Sequence, residues 1–389
     1  MHKKKIKLAV IPSDPIKGYL SAGYGEKWLE EYYNPCKLFD EVYLFSPLEE
    51  NNPNLLGMKV IKTEPKDLQR RIKEFDIDIV RAYGGYWACD MACSNKLNGI
   101  PVIVSVHDRR PELLHDTIKM ADAVFTVSEV VTKLVVRKFK KRERIWLLPN
   151  RVNFKTMHSV ELNKFEDLNN KYPIKFKILH VGRKSKEKNL DTLIKALKIL
   201  GDEYCLLAVG SGDTEIYTQL TKEENVTKGC FFIESIKNEE LPRYYSWADC
   251  ICNPSRAEGF GIIFIEALAC ECIVVTSDIA PMNEYIEHKK NGLLVKEYEN
   301  PKSIAEMIKI ACTDQQARAI IKANARKSAE KFDKDRIDAL EAEYYSRILK
   351  MKDAGQFFIP FYKRASPSFI KRIIPAPIKK SYRVLLKNL

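Results

Sequence analysis

The chain has 389 residues, more than one hydrophobic core usually fills, so two domains of roughly 150–200 residues are expected. Its 45% hydrophobic content is ordinary for a globular protein, and no uncharged apolar run of 18 residues occurs, which excludes a membrane-spanning helix. The net charge of +13 suggests an anionic partner, either lipid or nucleic acid.

In chain order, Lys3-Lys4-Lys5 precedes an apolar run that Lys7 interrupts and Pro12 stops, too short for a secretory leader. The ten cysteines therefore read as reduced thiols of a cytoplasmic protein. Ile6–Pro12 is a short first strand, followed by Gly18, Gly23 and Gly25 and a helical run from Glu26 to Tyr33. Further strands are expected at Glu41–Phe45, Ile77–Arg81, Val102–Val106, Ala123–Val127 and Ile145–Leu148. This alternation argues a parallel sheet covered by helices on both faces.

A polar, helix-poor stretch from Asn153 to Pro173 interrupts the rhythm and marks the domain boundary. The pattern restarts at Phe176–Gly182, with a helix at Asn189–Leu200. Strands follow at Cys205–Val209, Cys230–Ile233, Asp249–Asn253, Ile273–Thr276 and Gly292–Val295. The expected fold is α/β, two Rossmann-like doubly wound domains facing each other across a cleft, with ligand at the C-terminal ends of the strands. Residues 1–160 form the first domain and 174–335 the second, 336–352 a helix crossing back to the first, and 353–389 a basic tail.

The most informative segment is Pro254-Ser255-Arg256-Ala257-Glu258-Gly259-Phe260-Gly261, then Ile262 through Cys270. The run after Gly261 is apolar all round, as a buried helix is, yet it carries Glu266 in its middle. A buried carboxylate must find donors or a cation, and a ligand hydroxyl or an ion pair with Arg or Lys would both serve. Glycines before the helix admit a ligand to the backbone, and the helix start offers free amides and a positive dipole end. Together they describe a pocket for an anionic group beside hydroxyls, which suits a sugar nucleotide. Arg183 and Lys188, at a strand end beside a helix start, suit a diphosphate by charge. Cys250-Ile251-Cys252 and Cys270-Glu271-Cys272 could supply four thiolates to a metal, but small buried filler explains them as well.

The segment resembles the nucleotide-sugar signature of retaining glycosyltransferases of the group 1 family (family 4), which have the two-domain GT-B fold. Two glutamates stand eight positions apart there, as Glu258 and Glu266 do here. The resemblance implies that Glu258, Gly259, Phe260, Gly261 and Ile262 meet the transferred sugar and diphosphate, while Glu266 holds the ribose hydroxyls. It further implies that Arg183 and Lys188 grip the diphosphate, that Gly210 lies beside base and diphosphate, and that His107 lies near the reacting sugar. Gly23 and Gly25 would let donor and acceptor come close. Asp76-Ile77-Asp78 looks like the metal site of the other major glycosyltransferase fold, but it starts a strand and reads as solvated caps, so no metal or other cofactor is expected. Lys184 and Lys186 read as a solvated loop. Two departures stand out: Arg151 replaces a usual Gly, which bears on the interdomain turn, and Cys270-Glu271-Cys272 replaces a usual Gly and Pro.

The implied activity is transfer of a sugar from a nucleoside diphosphate sugar to a hydroxyl acceptor with retention of anomeric configuration, in cell-envelope polysaccharide or glycolipid synthesis. A nucleotide-sugar epimerase of the same fold and a catalytically silent membrane-binding protein are the alternatives, and charge alone admits nucleic acid. From Ala354 onward there is no acidic residue against eight basic ones. Ser366-Pro367 starts a helix there whose Phe369, Ile370, Ile373 and Ile374 fall on one side. Such a segment fits an anionic membrane surface, which would place the enzyme peripherally on the inner face of the cell membrane; packing across the first domain is the alternative. Removing residues 354–389 should abolish sedimentation with anionic liposomes while donor binding remains; equal sedimentation of both forms would show that the tail is not the anchor.

Overall fold

The computed structural model describes residues 4–21, 26–55, 57–139, 141–161 and 164–357. Gly23, Gly25 and the tail from residue 358 lie outside the described residues.

The first domain holds eight strands: β1 (Lys7–Ile11), β2 (Glu41–Ser46), β3 (Asn52–Leu55), β4 (Met58–Lys62), β5 (Ile79–Tyr83), β6 (Val102–Val106), β7 (Ala123–Thr126) and β8 (Ile145–Leu147). Their order is β3-β4-β2-β1-β5-β6-β7-β8, parallel throughout except for β3 against β4. The central strands are buried along their length, as a sheet covered on both faces requires. The sequence reading missed the β3–β4 pair. β4 is half-solvated, with Lys59 exposed between buried Met58 and Val60, and β3 carries Pro53, which an edge strand tolerates.

The second domain holds β9 (Phe176–Val181), β10 (Tyr204–Val209), β11 (Cys230–Ile233), β12 (Cys250–Asn253), β13 (Ile273–Ser277) and β14 (Leu293–Val295). All are parallel, in the order β11-β10-β9-β12-β13-β14. The order reverses between β9 and β12, and a crevice opens at the C-terminal ends of strands where this happens. Cys250 and Cys252 face the core on one side of this sheet, while Cys270 and Cys272 belong to the core on the other, so the two pairs do not form one four-thiolate cluster.

Two expectations need correction. The stretch 153–173 is not an open connector: it holds a helix, Glu166–Lys171, and buries Phe165, Leu168 and Tyr172, with Tyr172 against Phe231 and Trp247. Asp78 is no solvated cap. It is buried and accepts from the Lys7 amide (3.0 Å) and Lys352 Nζ (2.5 Å), fastening β1 to the end of the C-terminal helix. Part of the basic surplus also turns inward: Lys138 donates to the Leu114 carbonyl and Lys141 to the Ala121 carbonyl.

The C-terminal helix, Lys334–Asp353, packs Ile337, Tyr345 and Ile348 into the first domain's core beside Leu8, Val10 and Ile103. Its polar side explains Arg151. That guanidinium is buried and pairs with Asp338 and Glu341, and Glu341 also pairs with Arg81 of β5. The interdomain turn, where the family usually carries glycine, is thus held by a buried ion cluster.

Candidate functional site

The site is assembled where β9 and β12 end side by side. Asn253 closes β12, and its side-chain amide bonds both polar atoms of Val181: the Val181 amide donates to Oδ1 (3.2 Å) and Nδ2 donates to the carbonyl (2.9 Å). This fixes the separation of the two strand ends. The chain leaving β9 passes Gly182 and turns through Lys186–Lys188 into the helix Leu190–Leu200. The chain leaving β12 runs through buried Ser255 to Glu258.

Lys188 and Glu258, 70 residues apart, meet here. Lys188 Nζ donates to Glu258 Oε1 at 2.6 Å and Ser255 Oγ donates to the same oxygen at 2.8 Å. Ser255 is itself held, its carbonyl accepting from Ser277 Oγ at 2.8 Å. Both of these bonds to the carboxylate fall on Oε1, so Oε2 can accept from a ligand. An ammonium carries three donors, so Lys188 keeps two for other acceptors.

Gly210, at the end of β10, has φ +141°, and a Cβ there would lie 1.9 Å from the Gly182 carbonyl. Its immediate work is backbone packing, pressing the β10 loop onto the β9 loop. Lys184 corrects another expectation: rather than solvated, it is buried, with Nζ donating to the carbonyls of Gly210 and Ile233. Arg183 is exposed. Burial pushes the nearby Asp108 carboxyl up, but its bonds to Arg110 outweigh that, and the Arg183 charge adds to the lowering.

Gly261 caps the helix Ile262–Ala269 in the left-handed region at φ +81°, where a side chain would strike Phe264 and Tyr285. Phe260 is buried against Tyr285 and Phe332, and the Tyr285 hydroxyl donates to the Phe260 carbonyl at 2.6 Å. The helix is buried from Phe264 to Ala269 as its composition demands, Glu266 included. No Lys or Arg among the described residues pairs with Glu266. Its Oε2 accepts from the Tyr245 hydroxyl at 2.9 Å, and burial raises its pKa, a shift that this bond opposes.

His107 follows β6 in the first domain, and its ring stacks with Tyr83 at 6.3 Å. Burial lowers it to about 4, helped by the charges of Arg81 and Arg151, so the ring is neutral at pH 7. Its Nε2 is buried without a partner among the described residues. The two domains touch at this point. A Cβ on Gly259 would lie 1.9 Å from the His107 carbonyl oxygen, and Ser128 Oγ donates to the Gly259 carbonyl at 2.6 Å. Nearby, Arg109 Nη1 donates to the Ala280 carbonyl (3.0 Å). The Glu284 carboxylate accepts from the amides of Glu129 and Val130, capping the helix Glu129–Lys138 across the interface.

The structure thus brings Lys188, Glu258 and the Gly210 loop together and sets Gly259 against His107. Phe260, Gly261 and Ile262 lie on the adjoining turn and helix start. Asn253, Ser255, Ser128, Glu284 and Tyr245 were not singled out from sequence; single serines and asparagines at strand ends carry no periodic signal that would mark them.

The chain matches the family model described as Glycosyl transferases group 1 over residues 163–328, and that described as Glycosyltransferase Family 4 over residues 32–155. It is similar to an uncharacterized glycosyltransferase of Methanocaldococcus jannaschii, 34% identical over 45% of each chain. It is also similar to the capsular polysaccharide biosynthesis glycosyltransferase CapM of Staphylococcus aureus, 30% identical over 58% of this chain and 61% of that one. The match to the first of these relatives spans about half of their length. Among solved structures, HepE of Anabaena in complex with UDP superposes with a TM-score of 0.72 at 19% identity, covering 88% of this chain and all of that one. A glycosyltransferase of Rickettsia africae does so at 0.74 and 18% identity, covering 90% of this chain and all of that one. The paired sheets, the crevice between them and these matches lead to one assignment: the chain belongs to the group 1 glycosyltransferase family and has the GT-B fold.

Proposed function

We propose that this protein transfers a sugar from a nucleoside diphosphate sugar to a hydroxyl acceptor, with retention of anomeric configuration. The observation that carries the proposal is the Lys188–Glu258 pair at the reversal point of the second sheet, with one carboxylate oxygen and two ammonium protons left for a ligand. Glu258 Oε2 accepts from a sugar hydroxyl, while Lys188, Arg183 and the amides at Gly261–Ile262 face the diphosphate. Glu266 receives the ribose hydroxyls beside Tyr245.

In the reaction the bond from the anomeric carbon to the diphosphate oxygen breaks, and its electron pair leaves with the diphosphate. Fixed positive groups aimed at that developing charge are the largest expected contribution to rate. The acceptor oxygen forms the new bond on the same face, and its proton passes to a phosphate oxygen of the departing group. Lys188, Arg183 and the helix-start amides supply the positive charge this requires, so the proposal calls on no metal ion. The similarity to a glycosyltransferase of capsular polysaccharide biosynthesis favours a polysaccharide or glycolipid acceptor. Structures of HepE with UDP and with UDP-glucose favour a nucleotide-sugar donor.

A thermal-shift screen of nucleotide sugars tests the donor assignment. At about 100 times its dissociation constant the true donor should add roughly 2.7 kcal/mol of stability, and Lys188→Met should lose most of that shift. Absence of any shift across the common nucleoside diphosphate sugars would overturn the donor assignment.

A further inference from the structure

We propose that Arg81 is a positioning residue for His107, and that the C-terminal helix holds Arg81 in place, so that this helix sets the geometry of the reaction side of the cleft. The proposal rests on the reading of His107 as a residue beside the reacting sugar. Arg81 lies in the middle of β5, almost fully buried. Successive strand residues point to opposite faces, so Arg81 and Tyr83 share a face of β5, as Ser105 and the residue after the next, His107, do along β6. β5 and β6 are parallel neighbours in register, with Tyr83 opposite Ser105.

Each group along this face is fixed by the next. The helix Lys334–Asp353 supplies Glu341, paired with Arg81 Nη1, and Tyr345, whose hydroxyl accepts from the same nitrogen at 2.7 Å. On the other side Arg81 Nε donates to Ser105 Oγ at 3.0 Å. The guanidinium lies 4.4 Å from the centre of the Tyr83 ring, and that ring stacks on His107 with planes only 16° apart. Glu341 joins Arg151 as well, and Arg151, Arg81, Ser105 and Tyr32 line a small void beside His107.

Three buried polar atoms in this neighbourhood have no partner among the described residues: His107 Nε2, Tyr83 OH and Arg151 Nε. The scaffold therefore holds Arg81 through Nε and Nη1 and leaves His107 Nε2 able to bond a ligand. The charged and titratable groups around the ring are Arg81 and Tyr83 on β5, Arg151 on the interdomain turn, Tyr32 on the helix Glu26–Tyr33, Glu341 on the C-terminal helix and Asp108 next to it. Burial holds the ring neutral, the two arginines add to that, and Glu341 partly offsets them. Because His107's own carbonyl abuts Gly259, a shift of this strand end moves the contact with the donor-side loop too.

The test follows the His107 imidazole by NMR in full-length protein with labelled histidine, its signals assigned by their loss in His107→Ala. In Arg81→Gln the ring signals should move, and its titration should rise from about 4, because a positive neighbour has gone. Turnover should fall on the order of tenfold to hundredfold with donor KM within about twofold, as misplacement of a reacting group predicts. Ser105→Ala keeps every charge and cuts one bond to Arg81, so it should move the ring signals and leave the titration in place. It also decides the matter if Arg81→Gln does not fold. Unchanged ring signals in the folded variants would overturn the positioning role. Full transfer by His107→Ala would instead overturn the reading of His107 as a site residue, while the ring signals still report on positioning.

Discussion

Glu258→Gln should slow transfer by about 10²–10³-fold while leaving the fold intact, because it removes the charge that orients Lys188 and the oxygen offered to the sugar. The two partners should not respond alike. Glu258 is the more buried, at 8% side-chain exposure against 20% for Lys188. Lys188→Met strands a buried carboxylate beside Ser255, and breaking a buried pair from that side costs about 3–5 kcal/mol. That variant should therefore lose stability and donor affinity together, whereas Glu258→Gln loses mainly turnover. Steady-state kinetics and denaturant unfolding of both variants, with the double variant to close the cycle, separate the effects. Near-normal turnover by folded Glu258→Gln would contradict the assignment.

Gly259→Ala should have a comparable effect by a different route. The added methyl would sit 1.9 Å from the His107 carbonyl oxygen, a main-chain atom with no rotamer to escape through. The clash lies between domains, so the relief is for the domains to separate rather than for either to unfold. The Ser128 bond to Gly259 and the Glu284 cap on the helix Glu129–Lys138 would lengthen with it. Donor binding to the second domain should change by only about a few-fold, while transfer, which needs both sides of the cleft, should fall by roughly 10²-fold or more. Small-angle scattering should show a more open molecule. A variant with unchanged scattering and unchanged turnover would show that this contact does not control the approach of the domains.

How much of this was legible in the sequence follows from what kind of force sets each feature. All six strands of the second domain could be read from residues 176–295, because strands buried on both faces are continuous apolar runs. The helix Ile262–Ala269 was equally plain, being apolar on every side but for Glu266. The pair β3–β4 was not, since a half-solvated edge strand with a proline lacks that signal. Lys184 and Asp78 were misread because a charged residue in a loop looks solvated until the chain brings it acceptors or cations from elsewhere. Asp78 finds Lys352 at a separation of 274 residues, and Arg151 finds Glu341 at 190. Pairings at such distances leave no periodicity, so Arg151 could be noticed as unusual but not explained. In the candidate site, Glu258 and Lys188 were named separately from motif and charge; their contact, and the serine that shares it, came only with the fold.

The central claim is that the pair Lys188–Glu258 serves sugar transfer, and it is tested most directly by the fate of the nucleotide. The protein is incubated with the donor that stabilises it and a hydroxyl acceptor, and phosphorus NMR follows the diphosphate. Transfer predicts accumulation of free nucleoside diphosphate matched by a glycosylated acceptor of unchanged anomeric configuration, both lost in Glu258→Gln. A rearranged nucleotide sugar with no diphosphate released would contradict the account and favour the epimerase, and a product of inverted configuration would contradict retention.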